Sequence, residues 1–367
     1  MNQLKGKLKK SMTVIFVIIL LIVILPIITI FGFKIANGVK NSISSEKGIQ
    51  ESIYIDVNGI KQYVQIRGEN TENPVMIFVH GGPASPMGYV SAYYQKELEA
   101  HLTIINYDQR GSGRTYYANG NSRDSDVDTL INDLDSIVEY AKNRFGKDKV
   151  IIAGHSWGTV LGSIYIQKYP EKVDCYIGVS QITNLYRNKI NVAYEALKND
   201  SIKGTEDEKT LTEVAKRMEK VSTYRDMSVD DLLQLVNLNA KYIKCDGEMS
   251  GFGQMWTGIT SPDMNLDDIK WFMTQMDINK FFDDNKEIME YAFFGFDISK
   301  LSESYEVPVY YIAGDSDYGV CQNDVRHYYD KITAPDKAFY MLENTGHSPF
   351  MDNPQLYCKT IKDILNK

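Results

Sequence analysis

From residue 75 onward, short unbroken apolar runs alternate with longer stretches whose apolar positions recur at helical spacing. The runs at 75–79, 102–107, 150–153, 173–179, 307–313 and 337–342 read as strands covered on both faces. Between them, residues 87–100, 126–144 and 157–169 read as helices, and a closing helix starts near Asn353. In 126–144 the apolar set Val127, Leu130, Ile131, Leu134, Ile137 and Val138 forms one stripe. Ahead of this pattern, 53–57 and 60–66 flank Asn58-Gly59, a pair that supplies the two positive φ angles of a tight hairpin. The alternation stops between about 181 and 300. There, Thr205-Glu206-Asp207-Glu208, Ser228-Val229-Asp230-Asp231 and Ser261-Pro262-Asp263 each precede an amphipathic run, as helix starts do. The expected class is α/β: a mostly parallel sheet with helices on both faces, function at the carboxyl ends of its strands, and an α-helical insertion.

The N-terminus follows another pattern. Residues 11–33 hold no charge and are mostly Ile, Val, Leu and Phe, enough for a helix to cross about 30 Å of hydrocarbon. Pro26 is tolerable there. Lys5, Lys7, Lys9 and Lys10 precede the run and only Lys34 and Lys40 follow closely, so the positive-inside bias puts the N-terminus in the cytoplasm and the remainder outside. A cleaved secretory signal is the competing reading, but the run is long for one and lacks a clean A-x-A site. The expected organisation is a basic N-terminus at 1–10, a transmembrane anchor at 11–33 contacting the lipid bilayer, a polar tether at 34–51, a core at 52–180 and 301–367, and a helical cap at 181–300.

Composition narrows the partners. A 367-residue chain that is 43% hydrophobic can bury a full core, and its net charge of -8, with no basic stripe beyond the first ten residues, argues against nucleic acid. Cys175, Cys245, Cys321 and Cys358 are scattered without metal-ligand spacing.

The chemistry gathers around Gly154-His155-Ser156-Trp157-Gly158, between an apolar strand and a helix-like run. Turning from strand to helix in so few residues forces the serine into a strained conformation with Oγ pushed outward, and small residues on either side let backbone approach. Such a serine needs a base, itself oriented by a carboxylate. Of five histidines, His80 and His155 are tied up in the His-Gly-Gly loop and the elbow, and His101 and His327 sit in or beside helices. His347, straight after the last strand, is left. The acid should follow the strand ending at Ala313, where Asp315 and Asp317 both qualify by position. Two backbone N–H groups should form the oxyanion hole: that of Trp157 and one from His80-Gly81-Gly82-Pro83, with Gly82 preferred.

The set His-Gly-Gly-Pro, Asp-Gln-Arg-Gly-Ser-Gly-Arg-Thr, Gly-His-Ser-Trp-Gly-Thr, Gly-Asp-Ser-Asp and Gly-His-Ser resembles the proline iminopeptidase branch of the α/β-hydrolase superfamily from about residue 50 onward, leaving out most of the insertion. The resemblance implies a Ser-Asp-His triad with Asp317 as the acid, no metal or organic cofactor, a helical cap, and removal of N-terminal residues, often proline, from short peptides. It leaves Arg110 a structural tie for its loop. One departure matters. The family holds the substrate amine with cap glutamates, one commonly in a Trp-Glu-Gly stretch, where this chain has Trp256-Thr257-Gly258. A hydroxyl is a poor replacement for a carboxylate against a buried ammonium. Trp256, Thr257 and Glu248 are the substrate-binding candidates, with Glu195, Glu287 and Glu290 as further carboxylates. The ten cap aromatics, Phe252 and Trp271 among them, fit a cap core better than a substrate wall. A membrane-anchored, aminopeptidase-like serine hydrolase is expected. An esterase or lipase acting on small esters, and a catalytically silent binding module on the same fold, are the alternatives.

Overall fold

The computed structural model describes residues 2–123 and 125–367, with side chains from residue 11 onward apart from those of residues 17 and 18. Eight strands form one sheet: β1 (Ile49–Val57), β2 (Ile60–Gly68), β3 (Val75–Val79), β4 (Thr103–Tyr107), β5 (Val150–His155), β6 (Val173–Val179), β7 (Val309–Gly314) and β8 (Lys337–Leu342). Their order is β1-β2-β4-β3-β5-β6-β7-β8, parallel from β4 to β8. The antiparallel β1–β2 hairpin turns on Asn58 and Gly59, both at positive φ, and pairs Val57 with Ile60.

Alternation along the central strands divides the core into two. Ile77, Val79, Ile105 and Ile152 pack on one face of the sheet; Met76, Phe78, Ile104 and Ile151 pack on the other. Each face is covered by helices, so these strands show no polar alternation. The Val127–Phe145 and Trp157–Lys168 helices cover the first face and the Pro354–Leu365 helix the second.

Between β6 and β7 the chain forms a run of helices, the longer ones Leu185–Ala196, Glu206–Met218, Val229–Tyr242, Gly251–Ile259 and Leu266–Gln275. Thr205 and Ser228 cap their helices by accepting from the N–H of Glu208 and Asp231, as expected. The third expected start is displaced. Asn265 is the cap, in a reciprocal box with Asp268, while the Ser261 hydroxyl donates to the Tyr89 carbonyl. Residues 87–100 also differ, forming a broken series of short turns around the Ser91–Gln95 helix.

The N-terminal helix runs Asn2–Lys40, and Ser11–Lys40 within it is long and apolar enough to cross a membrane. The expected tether at 34–51 is therefore corrected: its first third is helix and its end is β1, leaving only 41–48 as connection. Residues that look like linker are contacts instead. Lys34 Nζ donates to the Met264 carbonyl at 2.6 Å and Asn37 Nδ2 to the Thr260 carbonyl at 3.0 Å. The side chains of Lys5, Lys7, Lys9 and Lys10, on which the expected orientation rests, lie outside the described residues.

Candidate active site

β5 ends at His155 and the Trp157–Lys168 helix begins two residues later, so Ser156 makes the whole turn at φ 51° and ψ −118°. That conformation is strained for a residue with a side chain and persists only where neighbours enforce it. Here they do. A Cβ on Gly154 would sit 2.5 Å from the Gly158 carbonyl oxygen, and one on Gly158 would sit 2.0 Å from that of Val79. The Ser156 N–H donates to the Val179 carbonyl at 3.0 Å, pinning the turn to β6.

His347 lies in the turn after β8. Its Nε2 is 3.0 Å from Ser156 Oγ and its Nδ1 is 2.8 Å from Asp317 Oδ1, the latter after β7. A carboxylate can only accept, so Nδ1 carries the proton and Nε2 is free to accept from the serine hydroxyl. The three candidate residues thus form one chain of hydrogen bonds. Burial alone would raise the Asp317 carboxyl. The His347 imidazole and the N–H donors of Val320 and Gly319 outweigh it and hold the group below the usual carboxylate range. Asp315 has a different place: it accepts from the N–H of Asn344 at 2.9 Å and of Thr345 at 3.4 Å, tying the loop after β7 to the loop after β8.

Several supports were not legible in the sequence. The His347 carbonyl accepts from Ser180 Oγ at 2.9 Å and from His155 Nε2 at 3.0 Å, so the base is held through its backbone as well as its ring. A Cβ on Gly319 would come within 2.5 Å of His347 Nδ1, which explains glycine there. Burial lowers His155 to about 3, with the neighbouring His347 acting in the same direction, and burial lowers His80 to about 4. Both are neutral; His80 Nε2 accepts from the Gln109 N–H at 3.1 Å.

Gly81 and Gly82 run beside the serine. A Cβ on Gly81 would be 3.2 Å from that of Ser156, and Gly82 adopts φ 119°. Among the described residues, no acceptor is hydrogen-bonded to the N–H of Gly82 or Trp157. A cavity of about 370 Å³ opens over Ser156, lined by Gly81, Gly82, Tyr89 and His347 from the core and by Gln254, Asp268, Trp271, Phe272 and Gln275 from the insertion.

Comparison with known proteins places this architecture. Residues 74–244 match the family model described as the alpha/beta hydrolase fold. The chain is 26% identical over 325 residues to the probable aminopeptidase YbaC of Bacillus subtilis (strain 168), covering 87% of this chain and 97% of that protein. It is 25% identical over 321 residues to the proline iminopeptidase of Heyndrickxia coagulans, covering 85% and 98%. The crystal structure of a Mycobacterium smegmatis proline iminopeptidase superimposes with a TM-score of 0.61 at 17% identity, covering 86% of this chain and 98% of that one. This chain has the α/β-hydrolase fold and is similar to members of the proline iminopeptidase-like branch. A membrane phospholipase A shares the fold as well, at a TM-score of 0.54 and 13% identity over 99% of this chain and 98% of that one.

In this hydrolase two substrate-binding candidates face elsewhere. Trp256 and Thr257 line a separate groove of about 490 Å³ with Phe33, Asn37 and Lys40 of the N-terminal helix, and neither lines the Ser156 cavity. The turn that presents Trp256 is set by its docking on Phe33, with ring centroids 5.4 Å apart. From the same helix it is Gln254 that lines the Ser156 cavity. Glu248 does not line that cavity either, but it lies closer to His347. Its carboxyl carbon would lie 3.5 Å from a Cβ on Gly346, beside His347, and no Lys or Arg among the described residues pairs with it. Burial raises its pKa, with Asp352 and Asp317 adding to the shift. Glu195 pairs with Lys198 at 2.7 Å, a solvated pair remote from this role.

The hydrolase also carries a clamp that the motif spacing hides. Arg110 grips Asp133 bidentately, at 2.8 and 2.9 Å, as the structural tie expected of it. Arg114, four residues on, grips Asp268 of the insertion at 2.9 and 2.6 Å, donates to the Asp263 carbonyl and the Tyr63 hydroxyl, and stacks over the Tyr63 ring. Asp268 lines the cavity, so this buried pair fixes one wall of it to the core. Of the cap aromatics, Trp271, Phe281, Phe282, Phe293 and Phe296 are buried, whereas Phe252 and Phe272 are exposed.

Proposed function

We propose that the protein is a membrane-anchored serine hydrolase acting as an aminopeptidase on short peptides. The observation that carries this reading is the hydrogen-bonded chain from Ser156 Oγ through His347 to Asp317 at a strained strand-to-helix turn. Ser156 attacks the scissile carbonyl as His347 takes its proton, and Asp317 holds the imidazole in the required tautomer and stabilises its charged form. The free N–H groups of Gly82 and Trp157 receive the developing oxyanion, the latter with the positive end of its helix behind it. His347 then returns the proton to the leaving amine, and water releases the acyl-enzyme.

Glu248 supports the amine-recognising version. A half-buried carboxylate beside His347 and without a cationic partner suits a substrate ammonium, a role the Thr257 hydroxyl cannot fill. The names of the two curated relatives point the same way. The N-terminal helix, at 11–33, is read as an uncleaved anchor leaving the catalytic domain outside the cell membrane; its uncharged length supports this.

Two measurements test the proposal. A fluorophosphonate probe should label the wild type and not Ser156→Ala; equal labelling of both, or none of either, leaves a silent binding module as the answer. Proline β-naphthylamide should be hydrolysed, with Glu248→Gln raising KM more than it lowers kcat. Turnover of short acyl nitrophenyl esters alone would make the protein an esterase.

A further inference from the structure

The Gly251–Ile259 and Leu266–Gln275 helices turn large apolar side chains to the outside. Leu266, Ile269, Met273 and Met276 recur along one stripe, while Asp268, Trp271 and Gln275 point the other way, toward Ser156. Leu266 is 72% exposed, Met276 66% and, on the neighbouring helix, Phe252 69%. Met255 and Phe272 are exposed beside them. A water-facing surface rarely groups seven such residues without something to cover them.

The N-terminal helix says what covers them. Asn37 bonds the carbonyl of Thr260, and Phe33 packs on Trp256. A four-residue step back along one helix matches a four-residue step back along the other, so the two run side by side in the same direction. Ile30, the next position on that stripe of the N-terminal helix, is half-buried. Phe252 continues the series on the other helix, stacked on Trp256 with centroids 6.3 Å apart. One further turn places it about 6 Å deeper along the N-terminal helix than Phe33. With the apolar span ending at residue 33, Trp256 lies at the water boundary, where aromatic belts form. Phe252 then falls at the depth of about 5–10 Å at which interfacial helices bury their apolar face. Of the charges flanking the stripe, Asp267 is neutralised by Lys270 at 2.9 Å.

We infer that this face of the insertion, from Phe252 and Met255 to Leu266, Ile269, Phe272, Met273 and Met276, beds into the boundary of the bilayer that the N-terminal helix crosses. The Ser156 cavity, whose rim is Gln254, Phe272 and Gln275 from the same two helices, then opens at the membrane surface. Substrates that partition into that surface, such as amphipathic or lipid-linked peptides, reach the serine without crossing open water. This rests on the anchor reading above.

The test uses the full chain with Cys245→Ser, since the other three cysteines are buried. A nitrobenzoxadiazole label is attached in turn at Phe252→Cys, Phe272→Cys, Met273→Cys, Leu20→Cys and Asp148→Cys, the last at the opposite end of β5 from Ser156. Each protein is reconstituted into vesicles of phosphatidylcholine and phosphatidylglycerol with and without doxyl-labelled lipid. Labels at 252, 272 and 273 should lose about half their emission or more, like that at 20, while the label at 148 is unaffected. Quenching at 20 without quenching at 252 and 273 overturns the inference and leaves the anchor standing. Quenching at 252 and 273 but not at 272 overturns the membrane-facing mouth. No quenching at 20 removes the anchor and this inference with it.

Discussion

The carboxyl edge of the sheet and the helical insertion above it contribute to one cavity but are held in opposite ways. At the sheet edge, backbone packs on backbone: Gly154 against Gly158, Gly158 against Val79, Gly314 against Gly346, each with no room for a methyl group. In the insertion such a contact occurs at Gly247, against the Asn344 carbonyl. Gly251, at the start of a helix that lines the cavity, has nothing within 4 Å of where a Cβ would go, and large side chains face outward. The candidate residues Ser156, Asp317 and His347 thus sit on a part of the molecule with a single solution. The wall that selects what reaches them hangs on a few side-chain contacts. Chemistry and selectivity are mechanically separable here, and selectivity is the freer to change.

Four outcomes would sharpen or break this contrast. The largest effect belongs to Gly158→Ala, whose methyl would meet the Val79 oxygen at 2.0 Å. It should cost about 4 kcal/mol or more, read as loss of soluble folded protein or a collapsed urea midpoint. A stable, active variant would show the elbow to be softer than described. Arg114→Ala comes next. It strands Asp268 without its partner in a buried position, a loss of about 3–5 kcal/mol. Limited proteolysis should then cut the insertion before the core; simultaneous loss of both would mean that the two regions unfold as one.

The third outcome is set by pH. His80 and His155 are held near 4 and 3 in the folded state, below their usual 6.5. Their depressed values mean that the folded state binds fewer protons than the unfolded chain once pH falls below 6.5. The stability they contribute is complete above that value and is lost progressively as pH drops toward 4 and then 3. Burial raises Asp108 to about 7, which adds stability as pH falls below that value and opposes the histidines. The clean readout is therefore a difference: the thermal midpoint of the wild type should lose ground to that of His80→Asn as pH falls from 6.5 to 4. The smallest effect is that of Gly251→Ala, expected to be neutral or stabilising by about 0.5 kcal/mol by calorimetry, because the site is open and helical.

How much of this could be read from the residues follows the same division. Ser156 and its flanking glycines were legible because a strand-to-helix turn has few steric solutions, and those solutions are written in adjacent positions. His347 emerged by exclusion among five histidines. Asp317 did not separate from Asp315 on position alone, and only the resemblance favoured it; what distinguishes them in space is that one faces an imidazole and the other a pair of amides. The Arg114 clamp was invisible because its partner lies 154 residues away. Trp256 and Thr257 were placed at the substrate because the stretch resembled a family motif, but the direction a helix faces is settled by what docks on it. Here that is Phe33, from a segment whose Lys34 and Asn37 looked like solvated linker.

The spacing of the hydroxyl and its base has a consequence for biosynthesis. Residues 156 and 347 meet across 191 positions, and the backbone carbonyl of residue 347 is steadied by groups at 155 and 180 that wait for it. A nascent chain emerging from the ribosome, or threading through a translocation channel, therefore holds an unactivated alcohol for roughly half of its synthesis. Latency of this kind needs no removable propeptide: order of manufacture supplies it.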